Sequence, residues 1–75
     1  MKLTVETRDN GTVVEVFLDP EGLDFLMQVV GRLRGNEPNH DHLMTESWGS
    51  WELTEEQQSD DGVIVHQLNV FFSPG

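Results

Sequence analysis

Two stretches near the start of the chain alternate apolar and polar residues, the period of a half-buried strand. They cover residues 3–7 and 12–18, with Asp9, Asn10 and Gly11 between them. Asn-Gly is the preferred centre of a two-residue type I′ hairpin turn, because both positions need positive φ. With Asn10 and Gly11 at the tip, Asp9 pairs with Thr12, Thr7 with Val14, Val5 with Val16 and Leu3 with Leu18. The last three pairs share one apolar face, so turn chemistry and patterning agree on the register. The same register sets Glu6 against Glu15, a like-charge pair that costs stability. A three-residue loop with a bulge would avoid it.

The period then changes. Asp19 and Pro20 predict a helix start: the carboxylate caps orphan amides, and proline fits the first helical position, where its missing N–H costs nothing. Leu23, Leu26, Met27, Val30 and Leu33 follow helical spacing and predict a core-facing stripe, which Phe25 and Val29 widen. Arg32 and Arg34 suit the last turn, where cations complement the macrodipole, and Gly35 is a candidate C′ residue.

Residues 36–39, with Pro38 inside, read as a loop. Residues 40–45 predict a strand with His40, His42 and Met44 on one face and Asp41, Leu43 and Thr45 on the other. Residues 48–53 read as a short strand or a turn-rich segment, with Gly49 a bulge candidate. Residues 54–62 hold no apolar side chain and read as a solvated loop. Residues 63–72 predict the longest strand, apolar on both faces and therefore central in its sheet. Residues 73–75 form a loose tail. The expectation is an α+β fold in one domain: an N-terminal β-hairpin, one helix, then two or three strands in an antiparallel or mixed sheet, with the helix packed on one face.

Bulk properties narrow the chemistry. Seventy-five residues bury only about 60% of their unfolded surface, so a large enclosed cleft is not expected. Without cysteine the chain has no disulfide, no thiol nucleophile and no thiolate zinc site, and stability of about 3–5 kcal/mol is expected. The N-terminus turns polar at once and no apolar run is long enough to span a bilayer, so a cytoplasmic location is expected. Fourteen acids against four bases give a net charge of −10, which repels nucleic acid and anionic membranes and favours a basic partner.

Candidate chemistry concentrates in residues 40–53, which hold two of the three histidines and both tryptophans. His40 and His42, two apart on a strand, point to the same side and form a candidate metal pair, with His66 a candidate third ligand. His66 lies between Ile64 and Leu68, however, which favours a histidine hydrogen-bonded within the fold. No serine sits in a nucleophile elbow, the carboxylates lie in hydrophilic runs and no phosphate loop is present, so neither catalysis nor a cofactor is expected.

Trp48 and Trp51, three apart, would face opposite sides of an extended chain. They are therefore two core residues, or at least one is exposed beside acids as a protein-contact residue. Six of the fourteen acids fall between residues 46 and 61. Asp41, Glu46, Trp48, Trp51, Glu52, Glu55, Glu56, Asp60 and Asp61 make up the candidate partner-binding set.

The run His42, Leu43, Met44, Thr45 followed by Trp48 and Gly49, then Glu52, Leu53, Thr54 and the late Val65, His66, Gln67, Leu68, resembles the immunity protein 32 family of bacterial polymorphic toxin systems. Where the family is expected to have Trp-Gly-Gly, this chain has Trp48, Gly49 and Ser50. The resemblance implies a non-catalytic cytoplasmic protein that binds and neutralises a cognate toxin. A basic nuclease toxin would suit the charge. A metal-binding module and a subunit dimerising through an exposed strand are the alternatives, and both monomer and homodimer fit the sequence.

Overall fold

A computed structural model describes residues 1–35 and 39–73. Its elements are β1 (Leu3–Arg8), β2 (Val13–Leu18), α1 (Pro20–Arg32), β3 (His40–Met44), a 3-10 turn (Glu46–Trp48), β4 (Val63–Ile64) and β5 (Gln67–Phe71). The α+β order is the expected one. The loop expected over 36–39 lies outside the described residues except Asn39, and the tail except Ser73.

The hairpin adopts the expected register, with Leu3 opposite Leu18, Val5 opposite Val16 and Thr7 opposite Val14. Its turn is longer than two residues. Pairing ends at Arg8 and Val13, and Asp9, Asn10 and Gly11 all take positive φ (54°, 60° and 85°). The amides of Gly11 and Thr12 donate to the carbonyls of Arg8 and Asp9. Three consecutive left-handed residues, two of them Asp and Asn, close the turn without a bulge.

Helix α1 begins as its cap predicts, the Asp19 carboxylate accepting from the Gly22 amide at 2.7 Å. It ends early, with Leu33 the right-handed cap residue, and Gly35 is not left-handed. The buried stripe is also rotated from the expected one. Gly22, Val29 and Leu33 are buried and Phe25 and Leu26 half-buried, whereas Leu23, Met27 and Val30 are exposed. Gly22 sets this rotation, since its Cα lies against the Lys2 carbonyl at a distance no Cβ would tolerate.

The strands form two antiparallel sheets instead of one: β2-β1-β4, and β3-β5. The single strand expected over 63–72 is broken, and it is not central. Two residues pair with β1, Val65 donates to the Val5 carbonyl, and the chain then crosses to β3 as β5. Only the face of Ile64, His66, Leu68, Val70 and Phe72 is half-buried throughout; on the other face Val65 alone is covered, and Val63 and Phe71 remain exposed. Leu3, Val5, Val29, Leu43 and Leu53 form the core between helix and sheets, with Phe25, Leu26, Val65 and Leu68 packed against it. No helix among the described residues is long and apolar enough to cross a membrane.

The loop over 54–62 is less solvated than its composition suggests. Thr54 bonds to both the N–H and the C=O of Leu3 (3.0 and 2.8 Å) and to the Thr4 hydroxyl (2.7 Å). Beyond it the chain covers Glu6, a fully buried carboxylate (0% exposed). Glu6 accepts from the Gln58 amide (2.6 Å), the Ser59 amide (3.2 Å) and the Ser59 hydroxyl (2.6 Å). A buried charge needs such compensation.

Candidate functional site

The site is built on Thr45, where β3 ends. Its carbonyl accepts from the amides of Trp48 (3.0 Å) and Ser50 (3.1 Å), its amide donates to the His66 carbonyl (3.0 Å), and its hydroxyl meets His66 Nδ1 at 2.7 Å. This buried residue ties the 3-10 turn to the crossover between β4 and β5. Gly49 then takes φ 106°, a left-handed cap that suits glycine. The segment is therefore a tight turn and not a strand, closed by a parallel bridge between Thr45 and Leu53.

The turn resolves how two tryptophans three residues apart are placed. Neither is in the core: Trp48 is 57% and Trp51 63% exposed. Each rests on one ring. Trp48 stacks flat on His66, with centroids 5.5 Å apart and planes within 6°, and Trp51 leans on Phe25 of α1 at 5.3 Å and 47°. Offset and tilted rings favour such contacts, and they hold the indoles in place while leaving one face of each to solvent.

Glu55 links the two. Both its oxygens accept from the Ser47 hydroxyl (2.9 and 2.7 Å), one lies 3.6 Å from His66 Nδ1, and the residue shares a shallow hollow with Glu46, Trp51, Leu53, Thr54 and Glu56. Glu52 plays a different part, accepting from the Met44 amide (3.0 Å) and the Ser50 hydroxyl (2.6 Å). Burial alone would raise its pKa, but these hydrogen bonds outweigh it and hold the carboxyl below its ordinary value. Glu52 pins the turn from inside.

The remaining expected contact residues lie elsewhere. Asp41 sits on β3 within 3.4 Å of Arg32. Asp61 lines a hollow at the hairpin end with Arg8, Asp9 and Val63, and exposed Asp60 precedes it. The histidines do not converge: His40 and His42 are edge to face at 5.0 Å, His40 stacks on Phe71, and His42 Nδ1 meets Asn69 Oδ1 at 2.5 Å, while His66 is held by Thr45 and Trp48. Among the described residues no three metal-ligating groups gather.

Sequence reasoning did not single out Ser47 or the role of Phe25 under Trp51. Neither had a signal, since a lone serine and an apolar helix residue are ordinary. The run His42, Leu43, Met44, Thr45, Trp48, Gly49 now has a physical reading: Leu43 fills the core, Thr45 ties the turn down, Gly49 closes it, and Trp48 is what the turn presents.

No curated protein and no solved structure matches the chain. Residues 13–68, from β2 into β5, match the family model described as immunity protein 32, and the chain therefore belongs to the immunity protein 32 family.

Proposed function

We propose that this chain is a cytoplasmic, non-enzymatic immunity protein that binds and neutralises a cognate toxin through Trp48, Trp51 and the carboxylates beside them. The observation that carries the reading is the pair of exposed indoles, each backed by another ring and bordered by Glu46, Glu55 and Glu56. Indoles already held in place lose little conformational freedom on binding, and aromatic anchors ringed by polar groups dominate many interfaces. The acids add steering. With a net charge of −10, the chain attracts a basic partner at long range, and carboxylates on this face stand where substrate phosphates would bind in a cationic nuclease. Glu52, Asp41, Asp60 and Asp61 contribute to that field without forming part of the central contact.

The test is co-expression with the toxin domain encoded beside this gene. The wild-type chain should relieve toxicity and form a complex that weakens with salt. Glu46→Lys, Glu55→Lys and Glu56→Lys together should slow association, and an unchanged association rate at low salt would remove the acidic face from the reading. Retained neutralisation by a folded Trp48→Ala, Trp51→Ala double variant would overturn it.

A further inference from the structure

The β2 strand closes one side of its sheet, and among the described residues no strand pairs with its outer edge. Edge strands are usually guarded by lysine, proline or a bulge. Val13, Val14, Glu15, Val16, Phe17 and Leu18 include neither residue and pair with β1 without interruption. The one charge on the strand, Glu15, is neutralised by Arg8 through two contacts of 2.6 and 3.2 Å.

The apolar face of this edge is only partly covered. Val14, Val16 and Leu18 share a face with buried Leu3 and Val5, yet they remain exposed, Val14 at 60%. Helix α1 packs on that face, with Phe25 flanking its buried stripe on the side of Trp51. Thr54 and β4 border β1 on the side away from β2. On the opposite flank of the helix Leu23 and Met27 are exposed, Met27 at 62%, while Val30 borders a hollow with Gly31, Arg34 and Phe72 just beyond β5.

We propose that the β2 face and the Leu23 and Met27 flank of α1 together bind a second copy of the chain, with β2 pairing antiparallel to its symmetry mate across a two-fold axis at Val16. Two three-stranded sheets become one of six. Directly opposed residues share a face, so only registers that match even-numbered with even-numbered positions keep the apolar sides together. Centring on Glu15 would oppose two glutamates. Centring on Val16 sets Val14 against Leu18 and Val16 against itself, with Glu15 opposite Phe17, so no like charges meet. Both helices then lie on the same side of the joined sheet, their apolar flanks facing each other over the seam. The five side chains Val14, Val16, Leu18, Leu23 and Met27 expose on the order of 450 Å² per chain, so a symmetric pair buries up to about 900 Å² from them, to which the paired backbones add, against a lower bound of about 1,000 Å² for a specific interface. Glu15 is the one charge on β2 and is paired with Arg8, which leaves the pairing strand locally neutral while the two chains, each of net charge −10, repel at long range.

That repulsion gives the dimer a signature opposite to toxin binding: salt strengthens it. Sedimentation of the full chain without toxin should show a reversible monomer–dimer equilibrium at up to ~1 mM chain. The dimer Kd should fall several-fold as salt rises from roughly 50 to 500 mM. Val16→Lys, which sets two lysines against each other at the axis, should raise the Kd about 100-fold with far-UV circular dichroism and Tm unchanged. Met27→Lys, on the helix flank, should weaken the dimer about tenfold and carries the test if Val16→Lys does not fold. A chain that stays monomeric at every concentration and salt overturns the proposal, as does a dimer that both variants leave intact. A monomer whose Val16→Lys variant loses toxin neutralisation would assign the surface to the toxin instead.

Discussion

Glu6 and Glu15 stand directly opposite each other on β1 and β2, yet the two charges are compensated separately. Arg8 holds Glu15 at the sheet surface, while Gln58 and Ser59 enclose Glu6 beneath the acidic loop. The clash expected from the register is removed without a bulge. It also makes Glu6 the anchor of the loop over 54–62, because that loop buries almost nothing apolar.

Glu6→Ala should therefore free the loop before it unfolds the domain. Amide exchange at Gln58 and Ser59 should accelerate strongly, limited proteolysis should cut within 54–62, and Tm should fall. Unchanged protection of those two amides would show that Thr54 alone holds the segment.

The same carboxylate gives a pH dependence. Glu6 has its pKa lowered below the ordinary 4.5 by the Ser59 hydroxyl and the Gln58 and Ser59 amides, against desolvation. The Lys2 and Gly22 amides lower Asp19 below 3.8 in the same sense. A carboxyl that binds its proton less tightly when folded contributes stability above its unfolded pKa and loses it as pH falls through the folded value. Repulsion among the fourteen acids relaxes over the same range, so the quantity to read is the Tm difference between wild type and Glu6→Gln. It should be largest near neutrality and shrink as pH falls below 4.5. A difference independent of pH would contradict the assignment.

Two helical glycines should respond with opposite signs. Alanine normally stabilises an exposed helix interior by up to about 1 kcal/mol over glycine. Gly31 has open space around its Cα, and Gly31→Ala should show that gain. Gly22→Ala drives a methyl into the Lys2 backbone and should cost about 1–3 kcal/mol. Chemical denaturation of the two variants decides it, and a stabilised Gly22→Ala would mean that the helix does not rest on β1 as described.

Trp48→Ala and Trp51→Ala should each cost the fold about 1–3 kcal/mol, one aromatic pair plus the covered part of a half-exposed indole. Leu43→Ala, in the core, should cost about 2–5 kcal/mol. Of the two expected alternatives, a pair of core tryptophans is thus excluded, and both indoles are surface residues. If either tryptophan variant unfolds as Leu43→Ala does, its indole is structural after all.

What the sequence by itself determined is what neighbours in the chain decide. The hairpin register followed from Asn10, Gly11 and strict alternation, and the helix start from Asp19 and Pro20, because turn and cap energies act over three or four residues. The run from His42 to Gly49 marked the turn that presents Trp48, since its residues serve one local structure. What only the tertiary structure decided is which amphipathic surface finds a cover. Gly22 against Lys2 rotates α1 and leaves Leu23, Met27 and Val30 outside. The chain over 63–72 divides between two sheets because β1 and β3 each offer it a free edge. Glu6, polar in an alternating strand, reads as solvent-facing until residues 58 and 59 close over it from more than fifty positions away. Apolar area and backbone hydrogen bonds set the demand for burial, and only the packing of distant segments determines which demand is met.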